Sequence, residues 1–345
     1  MTLKLFLVGF GHVGQGFADL ILKKRSVLLQ KYNLDPIVVG IVTGSKGKIV
    51  DERGIDLSFV LQVVGEKQTF ARAGLKTNSK ETIELIKETD FDVLVEVSHT
   101  NLRDGQPASD YIRTALQSGK HVITTNKGPV ALHLQELEAI AREKSVSFRY
   151  EGTVMAGTPL LNLIRYNLAG LQISKIQGIV NGSTNYILTR MEQGLEYEQA
   201  VAEARELGYL EADPTADVEG WDAVAKAMIL SAAVFKNPLS KTEVRRQGIT
   251  HLRRHDLEQA AKEHKTWKLI ATVEKSGQGV RASVKPELLS KSHPLAAVQG
   301  ATNAVTITTD YLHEVTIVGP GAGEHETGYA VLNDLLNLSR EVTGA

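Results

Sequence analysis

The chain contains no cysteine. That excludes disulfides, cysteine zinc sites and thiol catalysis, and it fits a reducing, cytoplasmic setting. Net charge is nearly absent as well, since 39 basic residues against 40 acidic ones leave a formal −1. No global field therefore draws the protein to nucleic acid or to a membrane surface. Long apolar runs are missing too. The amino terminus, MTLKLFLVGFGHVG, opens as an apolar strand but breaks into glycines after Val8. This is too short for a signal-peptide core with its cleavage site, and no run approaches the ~20 residues that span a bilayer. What is present is 42% hydrophobic and 23% charged over 345 residues, enough for a real core. At roughly 100–200 residues per domain, that length predicts two.

Lys4–Val8 reads as a buried strand and Gln15–Lys24 as an amphipathic helix with Phe17, Leu20 and Ile21 inward. Between them lies Gly9-Phe10-Gly11-His12-Val13-Gly14, the G-x-G-x-x-G spacing in a strand–loop–helix context. Gly9 suits a tight turn, Gly11 the close approach of a pyrophosphate, and Gly14 helix–strand packing, so the whole loop is a candidate cofactor site. The second strand, Ile37–Val42, runs into Thr43-Gly44-Ser45-Lys46-Gly47-Lys48. NAD sites often place an acid there for the ribose 2′-hydroxyl. Hydroxyls and lysines stand there instead, so Thr43 is a cofactor candidate and NADP is favoured over NAD. Asp35 lies at nearly the right distance but precedes the strand beside Pro36, and reads as a turn residue. Further strands, Asp92–Val97 and His121–Thr124, flank a helix from Pro107 to Ser118. Such alternation predicts an α/β, Rossmann-type doubly wound parallel sheet with ligands at the strand carboxyl ends. Ser98 and Lys127 stand at two of those ends. Ser98 is a cofactor candidate, and Lys127 suits a substrate carboxylate or aldehyde oxygen as well as the cofactor.

Phe148–Val154 reads as a strand with Glu151 inside it, and a helix follows from Pro159. A buried carboxylate is normally paired or metal-bound. On these residues alone, an ion pair with Arg149 or Arg165 is favoured over a hard cation held with backbone carbonyls. Leu171–Val180 is the next strand, and Asn181-Gly182-Ser183-Thr184-Asn185 leads into a helix at Tyr186–Gln193. Asn181 or Ser183 serves as its cap; small polar groups there also suit a carboxylate or an amide. Helix Glu198–Leu207 stops at Gly208.

From Gly208 to Lys226 come Glu211, Asp213, Asp217, Glu219 and Asp222. After Asp217 the pattern is helical, with Trp221, Val224, Ala225, Met228 and Ile229 at core spacing and Asp222 and Lys226 on one face. This is either a pocket for a small zwitterion or a well-capped helix. A helix at Leu257–Glu263, a hairpin (Thr266–Glu274 with Gly279–Val284) and strands Val305–Thr308 and Glu314–Val318 complete an α+β substrate domain. Such a domain also suits a homodimer interface. Gly319-Pro320-Gly321-Ala322-Gly323 then opens a helix to Leu338, making Gly321 and Gly323 cofactor candidates. The expected domains are residues 1–150, completed by the carboxyl-terminal helix of 320–345, and residues 151–319.

Six segments in this order, GFGHVG, TTNKGPVA, YEGTVMAGTP, NGSTNYIL, LGYLEADPTADVEGWDAVAK and GPGAG, resemble homoserine dehydrogenase over nearly the whole chain. The resemblance implies reversible NAD(P)-dependent reduction of L-aspartate 4-semialdehyde to L-homoserine, in threonine, methionine and isoleucine biosynthesis. It implies Lys226 as proton donor, Asp222 as the carboxylate that orients it, and Glu211 as partner of the substrate ammonium. Tyr209 and Asp217 match further substrate positions, Gly208 a cofactor contact, and Lys127 the second active-site lysine. It also reverses the ion-pair preference, because Glu151 with the carbonyls of Val154, Ala156 and Thr158 matches a structural sodium or potassium site, whose oxygen ligands suit a hard ion. Two departures stand out. Glu324-His325-Glu326-Thr327-Gly328 replaces smaller residues after the second glycine loop, and the chain ends at Ala345 without the regulatory ACT domain of longer members, so feedback by threonine through such a domain is not expected. A related semialdehyde dehydrogenase and a nucleotide-sensing protein that has lost turnover remain the alternatives.

Overall fold

The computed structural model describes residues 1–277 and 279–343, so Gln278 of the expected hairpin turn lies outside the described residues. The chain forms two units, Met1–Gly157 with Gly323–Ala345, and Thr158–Ala322.

The first unit is built on β1 (Thr2–Val8), β2 (Asp35–Thr43), β3 (Gly47–Val50), β4 (Val93–Glu96), β5 (His121–Thr124) and β6 (Phe148–Arg149), in the order β3-β2-β1-β4-β5-β6. All neighbours are parallel except the β2–β3 hairpin. Leu5, Phe6 and Leu7 of β1 and Val93, Leu94 and Val95 of β4 have no exposed surface, as expected for strands covered on both faces. Because β2 and β4 flank β1 on opposite sides, the connections diverge there and leave a crevice at the carboxyl ends. The helix His12–Tyr32 is longer than the apolar pattern alone indicates, and Asn33 ends it in the left-handed conformation with its N–H on Leu28 O. The last helix, Glu324–Thr343, belongs to this unit. Its Val331, Leu332, Leu335 and Leu338 join Phe17 and Ile21 in one core.

Two local expectations fail here. Asp35 is the first residue of β2, at the end opposite Thr43, and lies 3.4 Å from Arg25. It is a strand residue, not a turn. The expected strand at Phe148–Val154 ends after Arg149, and Glu151–Thr153 forms a 3-10 turn. The Thr153 hydroxyl and N–H both donate to Tyr150 O (2.7 and 3.2 Å), a local bonding pattern that competes with a ladder.

In the second unit, β7 (Ile173–Ile179), β8 (Arg245–Arg246), β9 (Lys265–Ser276), β10 (Gly279–Ser290), β11 (Thr302–Thr309) and β12 (Glu314–Pro320) form a sheet of order β12-β11-β7-β9-β10-β8. Only β8–β10 is parallel. The expected hairpin is present and longer, pairing Lys265–Ser276 with Gly279–Ser290. The helix expected from Pro159 is brief and includes a π-helical turn, Leu163–Asn167. Trp221 is not a core residue. Gly220, left-handed at φ 82, starts the helix Trp221–Val234 just before it, and the indole lies under the Arg246 guanidinium at 4.1 Å. Among the described residues, no helix is long and apolar enough to cross a membrane.

Phe17 is fully buried in the first unit's core. Phe17→Ala should destabilise that unit by about 3–5 kcal/mol, the usual cost of emptying such a site. Urea unfolding followed by circular dichroism measures it; a loss below about 1 kcal/mol would mean that the site is not a packed core position.

Candidate active site

The glycine loop divides its labour as the spacing predicts. Gly9 has φ +100, and a Cβ there would lie 2.5 Å from the Val97 backbone. A Cβ on Gly14 would lie 2.7 Å from Gly9 O. Both are demanded by the protein's own packing. A Cβ on Gly11 would meet nothing within 4 Å, so the fold alone does not require that glycine; a ligand approaching from outside gives a reason for it. Gly11 is the N-cap of the first helix and supplies no side chain to its first amides, which remain available to an anion. These features fit a dinucleotide pyrophosphate.

A cleft of about 690 Å³ opens at the carboxyl ends of β1, β2 and β4, with Gly9, Thr43, Lys48, Thr82, Ser98 and Tyr111 on its wall. No carboxylate lines it among the described residues. The Thr43 hydroxyl donates to Gly47 O (3.1 Å) and accepts from Lys46 N (2.7 Å), closing the β2–β3 turn. Lys48 Nζ donates to Lys80 O at 2.7 Å. Phe10 is buried, while His12 is exposed and lies 3.4 Å from Glu324 Oε2. Glu324 and His325, the departures noted above, thus sit over the first helix, His325 reaching Asp19 at 2.7 Å. Gly323, at φ 134, precedes the last helix. After β5, Asn126 caps the helix Lys127–Glu143 by accepting from Gly128 N. Lys127, its first residue, is half-buried.

The second unit gathers the other candidates around Asn181. Its Oδ1 accepts from Thr184 N (2.9 Å) and caps the helix Gly182–Glu192. This cap explains why the helix starts four residues earlier than the pattern suggests. Its Nδ2 donates to Asp217 (2.6 Å) and to Asp222 (3.1 Å). Asp222 in turn pairs with Lys226 at 2.8 Å, and Lys226 also donates to Val180 O. The Lys226 side chain is only 9% exposed and that of Asp222 18%. Ser183 donates to Tyr209 O at 2.6 Å, and Tyr209 packs against Tyr186 with ring centroids 5.0 Å apart. Ser183 therefore holds the Gly208–Asp213 loop, on which Gly208 and Glu211 are exposed. The remaining acids have local work. Asp213 accepts from Thr215, while Glu219 bonds Arg246 and Thr250, both of which lower its pKa.

Of the cation candidates, Glu151, Val154 and Ala156 are buried in the first unit, Ala156 in the left-handed conformation (φ 48). Glu151 N donates to the buried Asp334 at 2.9 Å. Thr158, in the second unit, donates to Pro320 O at 2.8 Å. Two groups escaped the sequence reading. Asn303, fully buried, presses against Gly321, where a Cβ would fall 1.9 Å from its Nδ2. Lys268, also fully buried, donates to Asn185 Oδ1 (3.0 Å) and Val298 O, and burial pushes its pKa down to about 8. An Asn at the start of β11 and a Lys within an apolar strand were the available signals.

A glycine loop at the switch point of a parallel sheet, together with a buried lysine–carboxylate pair, defines an NAD(P)-dependent oxidoreductase. Residues 9–151 match the family "Homoserine dehydrogenase, NAD binding domain" and residues 159–336 the family "Homoserine dehydrogenase". The chain is 41% identical over 341 residues to the NAD(+)-dependent homoserine dehydrogenase of Pseudomonas canavaninivorans, covering 99% of this chain and 97% of that one. It is 39% identical over 338 residues to the homoserine dehydrogenase of Methanocaldococcus jannaschii, covering 97% and 98%. A hyperthermophilic archaeal homoserine dehydrogenase in complex with NADPH superposes with a TM-score of 0.85 at 33% identity, over 99% of this chain and 98% of that one. The chain belongs to the homoserine dehydrogenase family.

Asn181→Asp keeps the helix cap but replaces a donor shared by two carboxylates with a third carboxylate. Hydrogen bonds to charged groups contribute about 1.5–3 kcal/mol, so kcat/KM should fall about 10–100-fold with helicity retained. Steady-state kinetics beside circular dichroism decides it; unchanged kinetics would remove Asn181 from the site.

Proposed function

We propose that this chain catalyses the reversible interconversion of L-aspartate 4-semialdehyde and L-homoserine in threonine, methionine and isoleucine biosynthesis. The carrying observation is the buried Lys226, paired with Asp222 and bonded to Val180 O. An ammonium has three donors. Asp222 and Val180 take two, and we assign the third to the substrate oxygen, where Lys226 gives a proton during reduction and recovers it during oxidation. General acid–base work of this kind is worth roughly 10²–10⁴-fold. A nicotinamide dinucleotide, when bound, would supply or accept the hydride. Asp222 fixes the lysine's direction, and the Asn181 amide restrains Asp222 and Asp217 together. Glu211 on the exposed loop offers a carboxylate to the substrate ammonium, with Tyr209 and Asp217 as further substrate contacts. Lys127, at the head of its helix, is the second lysine of this reading.

Within the first unit, the residues of this reading's cofactor site are 9–14 with Thr43, Ser98, Lys127 and Gly323. NADP is favoured over NAD because Thr43 and Lys48 line a cleft wall free of carboxylates among the described residues. The hyperthermophilic relative solved with NADPH supports this preference, and the NAD(+)-dependent relative marks the alternative. The same reading includes a structural monovalent cation held by Glu151 and neighbouring carbonyl oxygens, for which the buried carboxylate is a suitable hard ligand. It also includes a homodimer through the second sheet, whose outermost strand β12 leaves Val318 55% exposed.

With L-homoserine, absorbance at the reduced-nicotinamide band should rise, and Lys226→Ala should lower kcat at least about 10²-fold while NADPH still binds. Near-normal turnover in that variant would remove Lys226 from the mechanism. Supplying NADP and NAD separately should give the larger kcat/KM with NADP, and Lys48→Ala should narrow the ratio. A preference for NAD in the unmodified protein would refute the reading of residues 43–48.

A further inference from the structure

Glu96 ends β4 with no exposed surface, in the unit that carries the cofactor cleft, and the mechanism above does not use it. Ser98 N donates to its Oε1 at 3.0 Å, and the Ser98 hydroxyl donates to the same oxygen. The Asn126 side chain adds another hydrogen bond. Thr124 Oγ1 lies 3.1 Å from Glu96 Oε2 and 2.8 Å from Glu96 O, the backbone carbonyl. It also accepts from Asn126 N at 3.0 Å.

The protons at Thr124 can be counted. Its hydroxyl has one. The closer neighbour, a carbonyl oxygen, can only accept, so that proton belongs on Glu96 O. The contact between Thr124 Oγ1 and Glu96 Oε2 then joins two oxygens, and a proton on the carboxyl gives it a donor of its own. With an ionised carboxylate the single Thr124 proton would have to be shared between the two acceptors.

We propose that Glu96 is held as a neutral carboxylic acid and acts as a positioning residue, fastening together the loops that follow β4 and β5 beside the cofactor. Through Oε1 it holds Ser98, which lines the cleft. Through Oε2 it holds Thr124, which receives the N–H of Asn126, the cap of the helix that Lys127 begins. Asn126 Nδ2 closes the circuit, donating to Ser98 O (3.4 Å) and His99 O (3.3 Å). The surroundings suit a neutral group. Burial pushes the carboxyl up, against the opposing hydrogen bonds from Ser98, Thr124 and Asn126. Val8 faces Glu96 across the ladder from β1; the loop after β4 carries His99, Arg103 and Asp104, and Lys127 begins the helix after β5.

The positioning role rests on the cofactor reading given above; the proton assignment does not. A carboxyl whose folded pKa lies above its unfolded value contributes stability below the unfolded pKa, near 4.3 for glutamate. That contribution is lost as pH rises through the folded pKa. Glu96→Gln keeps the shape and offers an N–H where the acid has its proton, so it escapes this loss. Thermal melting should give Glu96→Gln a higher Tm than the unmodified protein at neutral pH, with the difference closing as pH falls towards about 4. A lower Tm at neutral pH would show a stabilising, ionised carboxylate and overturn the proton assignment. For the positioning role, NADPH binding is titrated by cofactor fluorescence. Glu96→Gln should bind like the unmodified protein, whereas Glu96→Ala should lose affinity at least tenfold. Equal affinity of all three proteins would overturn the role. Neither measurement uses homoserine, so failure of either is separable from failure of the proposed reaction.

Discussion

The first unit depends on one steric constraint. At Gly9 the chain must leave the end of β1 with φ +100 and so close to Val97 that no Cβ fits. That contact sets the exit of β1 directly against the exit of β4. Because β1 and β4 are hydrogen-bonded neighbours while β2 lies on the other side, the crevice between diverging connections falls at this point. The cleft, the exposed Gly11 and the uncapped first turn of the helix all follow from it. Gly14 keeps the helix near enough for its amides to face the same opening. A bulkier residue at Gly9 would disturb the geometry on which every later contact relies.

In the second unit the comparable centre is electrostatic. Asp217 and Asp222 bond to the same amide nitrogen of Asn181, so two like charges are held near each other. Such crowding is unfavourable unless donors divide the charge. Asn181 Nδ2 serves both carboxylates, and Lys226 serves Asp222. The same asparagine caps a helix, which ties the position of the carboxylates to the start of a regular element. Loop residues here are consequently held by backbone geometry, not only by long side chains.

The fold was largely legible because its signals were periodic. Apolar runs of strand length alternated with helical patterns through the first unit, and the glycine spacing marked the switch point. Periodicity failed in two places where a short-range bond outweighed it: Thr153 turned an apparent strand into a 3-10 turn, and Asn181 started a helix four residues early. Trp221 instead lies outside the core against Arg246, a residue distant in sequence. Lys226 and Asp222 were legible as a pair from their i,i+4 spacing, although that spacing alone cannot separate a surface salt bridge from a buried one. Asn181 was legible only as a cap, since its second bond reaches Asp217 and Asp222, 36 and 41 residues away. Glu96 was not legible as special, and Asn303 only as an Asn at the start of a strand. Their meaning lies in burial and in which hydrogen atoms are available, and neither follows a repeat.

Buried ionisable groups also explain why lysine content is a poor guide to chemistry in this chain. Lys268 and Lys226 both stand in apolar segments. Lys268 bonds two neutral acceptors, the Asn185 amide oxygen and the Val298 carbonyl, and burial depresses its pKa to about 8 against the opposing charge of Glu192. It anchors the turn before β11 to the helix Gly182–Glu192, which Asn185 reinforces by donating to Gly300 O and Thr302 O. Lys226 differs in having a carboxylate at bonding distance and in retaining 9% side-chain exposure. A counter-charge offsets part of the desolvation cost that neutral acceptors leave standing. In the reaction proposed above, that remaining exposure is where a small ligand would have to approach. Proton transfer needs both properties together, which makes the environment of Lys226, and not its residue type, the basis for assigning it the chemistry.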